Sequence, residues 1–373
     1  MTELTKLTKL RFGIVAIGRN EGDRLKRCLL SAQAQMRAIA EISDESCQSA
    51  LPPDATQTSA TMQTSIRYPI VYVDSGSTDE SVAFARSIGV EVVELDLSKP
   101  FTAARARNAG ANQLFEQYPQ LDFVQFIDGD CEFIEGWFDS AIATFDGNPQ
   151  VVVVCGRLHE RFPDRSRYNA LCDLEWNTPV GETKECGGIA LMRRSAFQAV
   201  SGFNPQLIAG EEPELCVRLR RQGGTIRRIA ADMAWHDANM TRFSQWWRRS
   251  LRSGYAYAEG AWLHGRSPER HWVKETRSIW LWGLMFPVLA LGFAPFTFGL
   301  SLVGLIALYG LQGYRIYQYC RRQRSMTPSQ AQLYAFFCVL VKFPQALGQM
   351  QFQQLRRQGK QRTIIEYKQP SQT

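Results

Sequence analysis

The sequence FVQFIDGDC, residues 123–131, joins a short apolar run to two carboxylates that stand two residues apart. The apolar run predicts a buried strand, and Gly129 lets the backbone turn tightly where that strand ends. Two carboxylates in such a turn suit Mg²⁺ or Mn²⁺, because these ions prefer oxygen ligands and keep positions open for phosphate oxygens. An exposed acidic turn is the alternative for an Asp-x-Asp sequence taken alone, and the position directly after the strand favours the metal.

Apolar runs and amphipathic stretches alternate on both sides of this sequence. The runs predict strands over residues 12–17, 70–73, 90–95, 123–127 and 151–155, and the amphipathic stretches predict helices over 23–36, 79–88, 101–115 and 136–145. Such alternation is typical of an α/β fold with a mostly parallel sheet covered by helices. Residues 43–65 interrupt the pattern with Ser, Thr, Gln, Pro and Asp, and they predict a mobile insertion.

Polar sequences follow three of the predicted strands. They are Gly18-Arg19-Asn20-Glu21, Asp74-Ser75-Gly76-Ser77 and Asp128-Gly129-Asp130. Because ligands bind beyond the carboxyl ends of parallel strands, we expect the three loops to form one site. Asp74 can accept a hydrogen bond from a nucleobase or a ribose there, or it can order the turn before the next helix. The chain has neither a G-x-G-x-x-G sequence nor a P-loop sequence, which argues against dinucleotide and P-loop sites.

Further candidate groups lie between residues 210 and 249. The sequence Gly210-Glu211-Glu212-Pro213-Glu214 begins a predicted helix. Acids are favoured in a first helical turn, but three in five residues exceed what capping requires, so one of them is a candidate general base. His236 is either a structural histidine or a further metal ligand. The sequence QWWRR, residues 245–249, offers cations for a leaving diphosphate and equally predicts a basic helix at a membrane surface.

Charge is unevenly distributed along the chain. Residues 241–373 hold 18 Lys and Arg against 4 Asp and Glu, a balance of +14, and residues 1–240 hold the other 25 against 32, a balance of −7. Because the basic residues flank an apolar segment and the front is acidic, we expect a membrane as partner and no nucleic acid. The nine cysteines are scattered without CxxC pairs, which favours a reducing compartment over a disulfide framework or a structural zinc site.

The apolar segment extends from Ser278 to Tyr314, 37 residues without a charge. It is nearly long enough for two short membrane spans, and we expect a helical hairpin over 278–314. One long kinked span and a buried apolar helix pair in a soluble domain are the alternatives. Basic residues on both flanks place both ends in the cytoplasm. The expected parts are a first span Ile279–Leu291, a reversal at 292–295, a second span Phe296–Leu311, basic Trp-rich interfacial helices over 241–277, and an amphipathic or re-entrant helix with a basic tail over 315–373.

Seven segments, in this order, resemble glycosyltransferase family 2, which has the GT-A fold. They are VAIGRNEG (15–22), VDSGSTDES (73–81), ARARNAG (104–110), FIDGDC (126–131), GGIALMRRSAF (187–197), GFNPQLIAGEEPELCVRLRRQG (202–223), and His236 with QWWRR (245–249). The resemblance implies a catalytic domain over residues 1–240, a nucleotide-diphosphate sugar as donor, Mg²⁺ or Mn²⁺ as cofactor, and inversion at the anomeric carbon. Ser75 stands where family members usually carry a second Asp, and Glu212 stands where Asp is common.

The resemblance also implies roles for single residues. For the nucleotide, Asn20 and Glu21 lie in the first nucleotide loop, Asp74 contacts the nucleobase, and Arg107 and Asn108 lie near the ribose and phosphates. Asp128 faces the nucleotide sugar, Asp130 and His236 bind the metal, Gln245 and Arg248 lie near the diphosphate, and Gly187 and Gly188 leave room for donor sugar and acceptor. Glu212 takes the position of the base, with Glu211 and Glu214 as close competitors.

These observations lead to the expectation of an inverting glycosyltransferase at the cytoplasmic face of a membrane, with a lipid or lipid-linked glycan as acceptor. Metal and arginine would neutralise the leaving diphosphate, and a carboxylate would take the proton of the acceptor hydroxyl. The enzyme alternative is a nucleotidyltransferase on a related sheet, which would release pyrophosphate. The alternative without activity is a membrane-anchored sugar-binding scaffold.

Overall fold

The computed structural model describes residues 12–48, 69–266 and 268–360. Backbone contacts divide the chain into two compact units. The first unit comprises residues 1–159, 178–206 and 218–237, and the second comprises 160–177, 207–217 and 238–373. The boundary thus differs from the expected catalytic domain over 1–240, because 160–177 and 207–217 group with the C-terminal helices.

The first unit is built on a nine-stranded mixed sheet. Its strands are β1 Phe12–Gly18, β2 Ile70–Asp74, β3 Glu91–Glu94, β4 Phe123–Asp128, β5 Cys131–Phe133, β6 Val151–Glu160, β7 Gly181–Thr183, β8 Ala190–Arg193 and β9 Thr225–His236. Their order is β3-β2-β1-β4-β8-β6-β9-β5, and β7 pairs with β9. The pairs β3-β2, β2-β1 and β1-β4 are parallel, and the pairs β4-β8, β8-β6, β9-β5 and β9-β7 are antiparallel. The α/β fold is the one that the sequence predicts, and the antiparallel strands add β9, which ends at His236.

Helices cover this sheet and form the second unit. They are α1 Asp23–Gln48, α2 Ser81–Ser87, α3 Ala103–Gln117, α4 Trp137–Phe145, α5 Arg167–Trp176, α6 Arg194–Ala199, α7 Glu211–Arg221, α8 Phe243–His264, α9 Val273–Phe293, α10 Leu300–Gln323, α11 Pro328–Leu340 and α12 Lys342–Arg357. Strands β1, β2 and β4 are buried almost throughout, which explains their unbroken apolar sequences. Helix α3 packs closely on them at Gly110, where a Cβ would come within 2.4 Å of Val15 Cγ1.

Helix α1 is longer than the sequence predicts. It continues from the expected end at Met36 to Gln48, through a run of good helix formers that has no Gly or Pro before Pro52. Residues 43–48 of the expected mobile insertion are therefore helical. The rest of that insertion, up to residue 65, falls in the stretch 49–68 that lies outside the described residues.

The second unit contains an antiparallel pair of apolar helices. Ser301 Oγ on α10 donates to the carbonyl oxygen of Ala290 on α9 at 2.7 Å, and the Tyr309 hydroxyl donates to the carbonyl oxygen of Trp282. The chain reverses over residues 294–299. The pair is longer than the expected hairpin, because α9 begins at Val273 and α10 continues to Gln323, through basic residues as well as apolar ones.

Helices α8 and α12 lie side by side in the same direction. Gly254 lies against the backbone of Gln345, and farther along both helices the rings of Trp262 and Phe352 are 6.3 Å apart. A Cβ on Gly254 would come within 2.1 Å of the Gln345 carbonyl oxygen, and a Cβ on Gly348 within 2.1 Å of the Leu251 carbonyl oxygen. Glycine is what allows the two backbones to approach this closely.

Among the described residues, two helices are long and apolar enough to cross a membrane by length and composition, Val273–Phe293 and Pro328–Arg357. The first contains the expected span Ile279–Leu291. The expected second span, Phe296–Leu311, does not meet this criterion. The helix that does meet it, Pro328–Arg357, lies within residues 315–373, for which an amphipathic or re-entrant helix was expected. The second candidate is the more buried of the two, since its α12 part packs on α8.

Candidate active site

Asp128 ends β4, next to the end of β1, and is held by an arginine from α3. Arg107 Nη2 donates to Asp128 Oδ1 at 2.7 Å. The arginine side chain is 5% exposed and the carboxylate 36% exposed, so the ion pair is open toward solvent on the side of Asp128. The Arg107 guanidinium also lies over the Phe203 ring, 5.6 Å from its centroid. The structure therefore brings Arg107 and Asp128 together, and it fixes the orientation of both.

Asp130, at the end of the same turn, faces the end of β9. The pairing of β5 with β9 sets Cys131 opposite His236, and this register brings the imidazole to the preceding carboxylate. His236 Nε2 lies 3.4 Å from Asp130 Oδ2, and both side chains are largely buried. Asp130, Cys131 and His236 each offer one ligand atom, and these atoms all lie within 4.8 Å of one another. A carboxylate, an imidazole and a thiol at this spacing fit a divalent ion.

The thiol of Cys131 is a potential ligand that the sequence argument did not include. Its Sγ donates to Asp130 Oδ1 at 3.6 Å. Burial, and then the charge of Asp128, raise the pKa of the Cys131 thiol well above its ordinary value. The signal was available in the sequence, because Cys131 directly follows the second Asp of FIDGDC. Only the strand register shows that its sulfur is close to His236.

Asp74 orders the loop that follows β2. Its Oδ2 accepts from the amides of Gly76 and Ser77 at 2.9 and 2.8 Å, and its Oδ1 accepts from the Tyr72 hydroxyl at 2.9 Å. Burial, and then the charge of Asp74, raise the pKa of Tyr72, so the phenol stays protonated and donates. The carboxylate is 2% exposed. Of the two roles that the sequence left open, the ordering of the turn is the one that these hydrogen bonds serve.

Asn20 joins the first loop to the second. Its backbone amide donates to Ser77 Oγ at 2.9 Å, and its Oδ1 accepts from the amide of Thr78 at 2.7 Å. The residue has a φ of 54°, in the left-handed region that asparagine tolerates better than most residues. The neighbouring Glu21 pairs with Arg24 at 2.7 Å. The structure thus brings the first two loops together, with the Asn20 and Glu21 side chains bonded within them.

Asn108, which the resemblance places near the ribose and phosphates, makes a structural contact, and its role near a nucleotide stays a prediction. Its Nδ2 donates to the carbonyl oxygen of Phe203 at 2.7 Å, and its Oδ1 accepts from the Phe203 amide at 2.9 Å. Both polar atoms of the side chain are therefore used by the backbone of one residue. This contact holds Phe203, on whose ring the Arg107 guanidinium lies, in place.

Gly187 and Gly188 have φ values of 83° and 88°, which favour glycine at both positions. A Cβ on Gly188 would come within 3.4 Å of Arg107 Nη2, whereas a Cβ on Gly187 would meet nothing within 4 Å. Gly188 is thus beside the ion pair of Asp128. The space expected for donor sugar and acceptor is consistent with the open side of Gly187.

The candidate bases belong to the second unit and lie in the first turn of α7. The side chains of Glu211, Glu212 and Glu214 are all buried. Glu212 Oε1 accepts from Cys216 Sγ at 2.9 Å, one helical turn ahead. Glu214 Oε1 lies 2.8 Å from His264 Nε2 on α8. The contact with His264 gives Glu214 a structural role between α7 and α8.

Gln245 and Arg248 also belong to the second unit, in the first turns of α8. Gln245 Oε1 accepts from the amides of Thr241 and Arg242, both at 2.9 Å, and so caps the helix. Arg248 is half-buried. The capping contact gives Gln245 a role in the fold, and the role of both residues near a diphosphate stays a prediction.

A sheet whose parallel strands end in an Asp-x-Asp turn, with an antiparallel strand that brings a histidine to that turn, defines an α/β fold of the GT-A type. The fold resembles that of the mannosyltransferase PcManGT of Pyrobaculum calidifontis, solved in complex with GDP-Man and Mn²⁺, with a TM-score of 0.55 over 92% of this chain and 87% of that chain and 16% identity. Residues 54–201 match the family model described as glycosyl transferase family 2, and residues 170–242 match one described as the N-terminal domain of galactosyltransferase. Over residues 54–201 the chain is thus similar to glycosyltransferase family 2.

Two curated relatives are also glycosyltransferases by name. The chain is 22% identical over 213 residues to the O-antigen chain rhamnosyltransferase RfbN of Salmonella typhimurium, over 52% of this chain and 66% of that protein. It is 31% identical over 209 residues to the pre-mycofactocin glycosyltransferase of Mycobacterium tuberculosis, over 52% of this chain and 43% of that protein. The matched region thus spans less than two thirds of each relative.

Proposed function

We propose that the chain transfers a sugar from a nucleotide-diphosphate sugar to a hydroxyl of an acceptor, with inversion at the anomeric carbon. The observation that carries this proposal is the Asp-x-Asp turn, where Asp130 lies 3.4 Å from His236 and Asp128 is paired with Arg107. The match of residues 54–201 to glycosyltransferase family 2 supports the same class of reaction.

The leaving nucleoside diphosphate needs positive charge, because its departure is otherwise unfavourable. A divalent ion supplies that charge when bound, and we assign Asp130 and His236 to hold it, with the thiol of Cys131 beside them. A ligand set that includes an imidazole favours Mn²⁺ over Mg²⁺, since Mg²⁺ prefers oxygen ligands alone. Arg248 is the cation that we assign to the diphosphate.

A carboxylate must take the proton of the acceptor hydroxyl as its oxygen attacks the anomeric carbon and the bond from that carbon to the diphosphate oxygen breaks. We assign this role to Glu212, with Glu211 as the alternative. Glu214 is less suited, because its Oε1 lies 2.8 Å from the His264 imidazole, a stronger hydrogen-bonding partner than the Cys216 thiol that contacts Glu212. The buried position of Glu212 suits a group that must exchange a proton away from bulk water.

We also propose that the second unit holds the enzyme on a membrane, with the catalytic domain in the cytoplasm and a lipid or lipid-linked glycan as acceptor. Large apolar side chains are exposed along α9 and α10 and at the turn between them. Such a surface is costly in water and favourable in a bilayer. The basic residues on both flanks support the cytoplasmic side.

The first experiment is a thermal-shift panel on detergent-purified protein with UDP, GDP, dTDP and CMP, each with and without Mn²⁺ or Mg²⁺. GDP with Mn²⁺ is of interest because PcManGT was solved with GDP-Man and Mn²⁺. We expect one nucleotide to stabilise only in the presence of metal, by about 2–3 kcal/mol at a hundredfold excess over its Kd. Asp130→Ala should abolish this shift, and Asp139→Ala, at an exposed position on α4, should keep it.

Absence of any shift in folded protein would contradict the proposed donor site. The nucleotide that binds then selects a donor for turnover. Release of the nucleoside diphosphate identifies a glycosyltransferase, and release of pyrophosphate from a nucleoside triphosphate identifies the nucleotidyltransferase. Donor binding that is unchanged by Asp130→Ala, without turnover, would favour the scaffold.

A further inference from the structure

A cavity of about 330 Å³ lies among the helices of the second unit, and none of its lining residues has been assigned a role above. Helices α8, α9, α10 and the α11–α12 segment all contribute to its wall. Aromatic and aliphatic side chains form much of this wall, among them Ile279, Trp282 and Tyr309. The volume is within the range of cavities that hold small ligands or headgroups.

The cavity also contains charged groups in otherwise apolar surroundings. Lys342, at the start of α12, lines it and is half-buried. No carboxylate forms an ion pair with this ammonium within the part of the chain that the structure describes. Glu275, in the first turn of α9, is exposed and lines the same cavity. An ammonium that lies among apolar helices without an ion-pair partner is costly and therefore marks a candidate binding site.

A second observation points to a ligand that donates hydrogen bonds. Gln345 also lines the cavity and is 7% exposed. Its Nε2 donates to Ser253 Oγ at 3.3 Å, whereas its Oε1 is buried without a hydrogen-bond partner among the described residues. A buried acceptor without a donor is unfavourable, so a donor from a ligand would be stabilising there.

We propose that this cavity binds the headgroup of one aminophospholipid, with the phosphate on Lys342 and the ammonium toward Glu275 and Gln345. The two charges of the headgroup match the two charged groups of the cavity, and its N–H groups match the free acceptor. The apolar surface of α9, where Leu281, Met285 and Val288 are exposed, receives the acyl chains. This inference rests on the membrane association proposed above.

The choice of an aminophospholipid follows from the acceptors. A choline headgroup has the phosphate and the positive charge but no N–H to donate. A glycerol headgroup has hydroxyl donors but no positive charge for Glu275. Only a headgroup with a primary ammonium satisfies the ammonium, the carboxylate and the amide oxygen together.

The test is native mass spectrometry of the full chain released from mixed micelles that hold equimolar phosphatidylethanolamine, phosphatidylglycerol and phosphatidylcholine. We expect one retained phosphatidylethanolamine per chain, favoured about tenfold over each of the other two lipids. Glu275→Gln should remove the preference, whereas Lys342→Gln should lower the retention of all three lipids, because each of them carries the phosphate. Lys342→Arg should keep most of the retention. Lys274→Gln, which removes an exposed charge outside the cavity, is the matched control and should change nothing.

Equal retention of the three lipids by the unmodified chain, or undiminished lipid retention in Lys342→Gln, would overturn the inference. A preference for phosphatidylglycerol would overturn the assignment of the ammonium. Flotation of the unmodified chain with vesicles of phosphatidylcholine and phosphatidylglycerol tests the membrane association separately. A chain that floats without preferring phosphatidylethanolamine contradicts only the cavity site, and a chain that does not float contradicts the proposed membrane association.

Discussion

Asn108 holds the peptide of Phe203 through both of its polar atoms, and Phe203 in turn lies under the guanidinium of Arg107. Asn108→Ala removes a donor and an acceptor from a half-buried peptide. We expect the free energy of unfolding to fall by about 1–3 kcal/mol. Denaturant unfolding in detergent measures this change.

The matched control is Asn148→Ala, because the Asn148 amide donates only to exposed backbone carbonyls at the end of α4. It should cost less than about 0.5 kcal/mol. If Asn108→Ala left stability unchanged but weakened nucleotide binding, Asn108 would be a donor contact and its contact with Phe203 would be incidental.

Sequence motifs located the residues of the candidate site better than they located the atoms that those residues contact. Asp128 and Asp130 were placed correctly at a strand end, because an unbroken apolar run defines where a buried strand stops. Asp74, Asn108 and Gln245 bond backbone groups of their own unit, and such contacts depend on loop conformations that no spacing in the sequence encodes. The proximity of His236 to Asp130 depends on a register between strands about a hundred residues apart, which the resemblance implied and the local sequence did not.

The packing of α8 on α12 depends on two glycines. Gly254→Ala and Gly348→Ala each place a methyl group within 2.1 Å of a backbone oxygen of the other helix, so the helices must separate. We expect each change to lower the free energy of unfolding by about 1–3 kcal/mol. Gly304→Ala on α10 is the control, because nothing lies within 4 Å of its new methyl group, and it should stabilise its helix by up to about 1 kcal/mol. Equal effects at all three positions would show that helix propensity, and not packing, determines the change in stability.

Helix α8 also carries a carboxyl group whose protonation should control stability. Burial raises the pKa of Glu259 from its ordinary value of 4.5 to about 7, and its Oε2 has no hydrogen-bond partner in the described part of the chain. The folded state holds this proton more tightly than the unfolded state. The contribution of protonated Glu259 to the free energy of unfolding is therefore fully present below about pH 4.5 and is lost as the pH rises through about 7.

Glu259→Gln removes this dependence, because the amide does not ionise. We expect the unfolding free energy of the unmodified chain to fall, relative to that of the variant, by on the order of 2 kcal/mol between pH 5 and pH 8. Thermal or denaturant unfolding at several pH values in this range measures the difference. Parallel pH profiles for the two proteins would contradict the burial of an ionisable group.

For the molecule as a whole, the sequence predicted the α/β sheet and the helical C-terminal region, but not how distant segments of the chain pack together. The alternation of strands and helices is a local pattern, so it predicts the parallel strands well. The antiparallel strands β5, β7 and β8 are only three or four residues long and give little periodicity. The grouping of 160–177 and 207–217 with the C-terminal helices follows from packing between distant segments, such as Leu171 and Trp246 in one apolar cluster, which no local pattern shows.

The turn between α9 and α10 decides whether the apolar surface of the second unit meets a bilayer. Phe296 is 80% exposed and Phe298 is 98% exposed, so neither side chain supports the fold. In a membrane-associated chain, Phe296→Asp with Phe298→Asp should weaken vesicle binding, since a carboxylate costs up to about 3 kcal/mol in the centre of a bilayer and less near its surface.

Leu97→Asp, at a position 64% exposed in the first unit, is the matched control and should leave vesicle binding unchanged. Flotation with vesicles measures the bound fraction, and circular dichroism verifies that each variant is folded. Equal binding by the double variant and the unmodified chain would place this turn outside the bilayer and would leave the amphipathic helix α8 to hold the protein at the membrane surface.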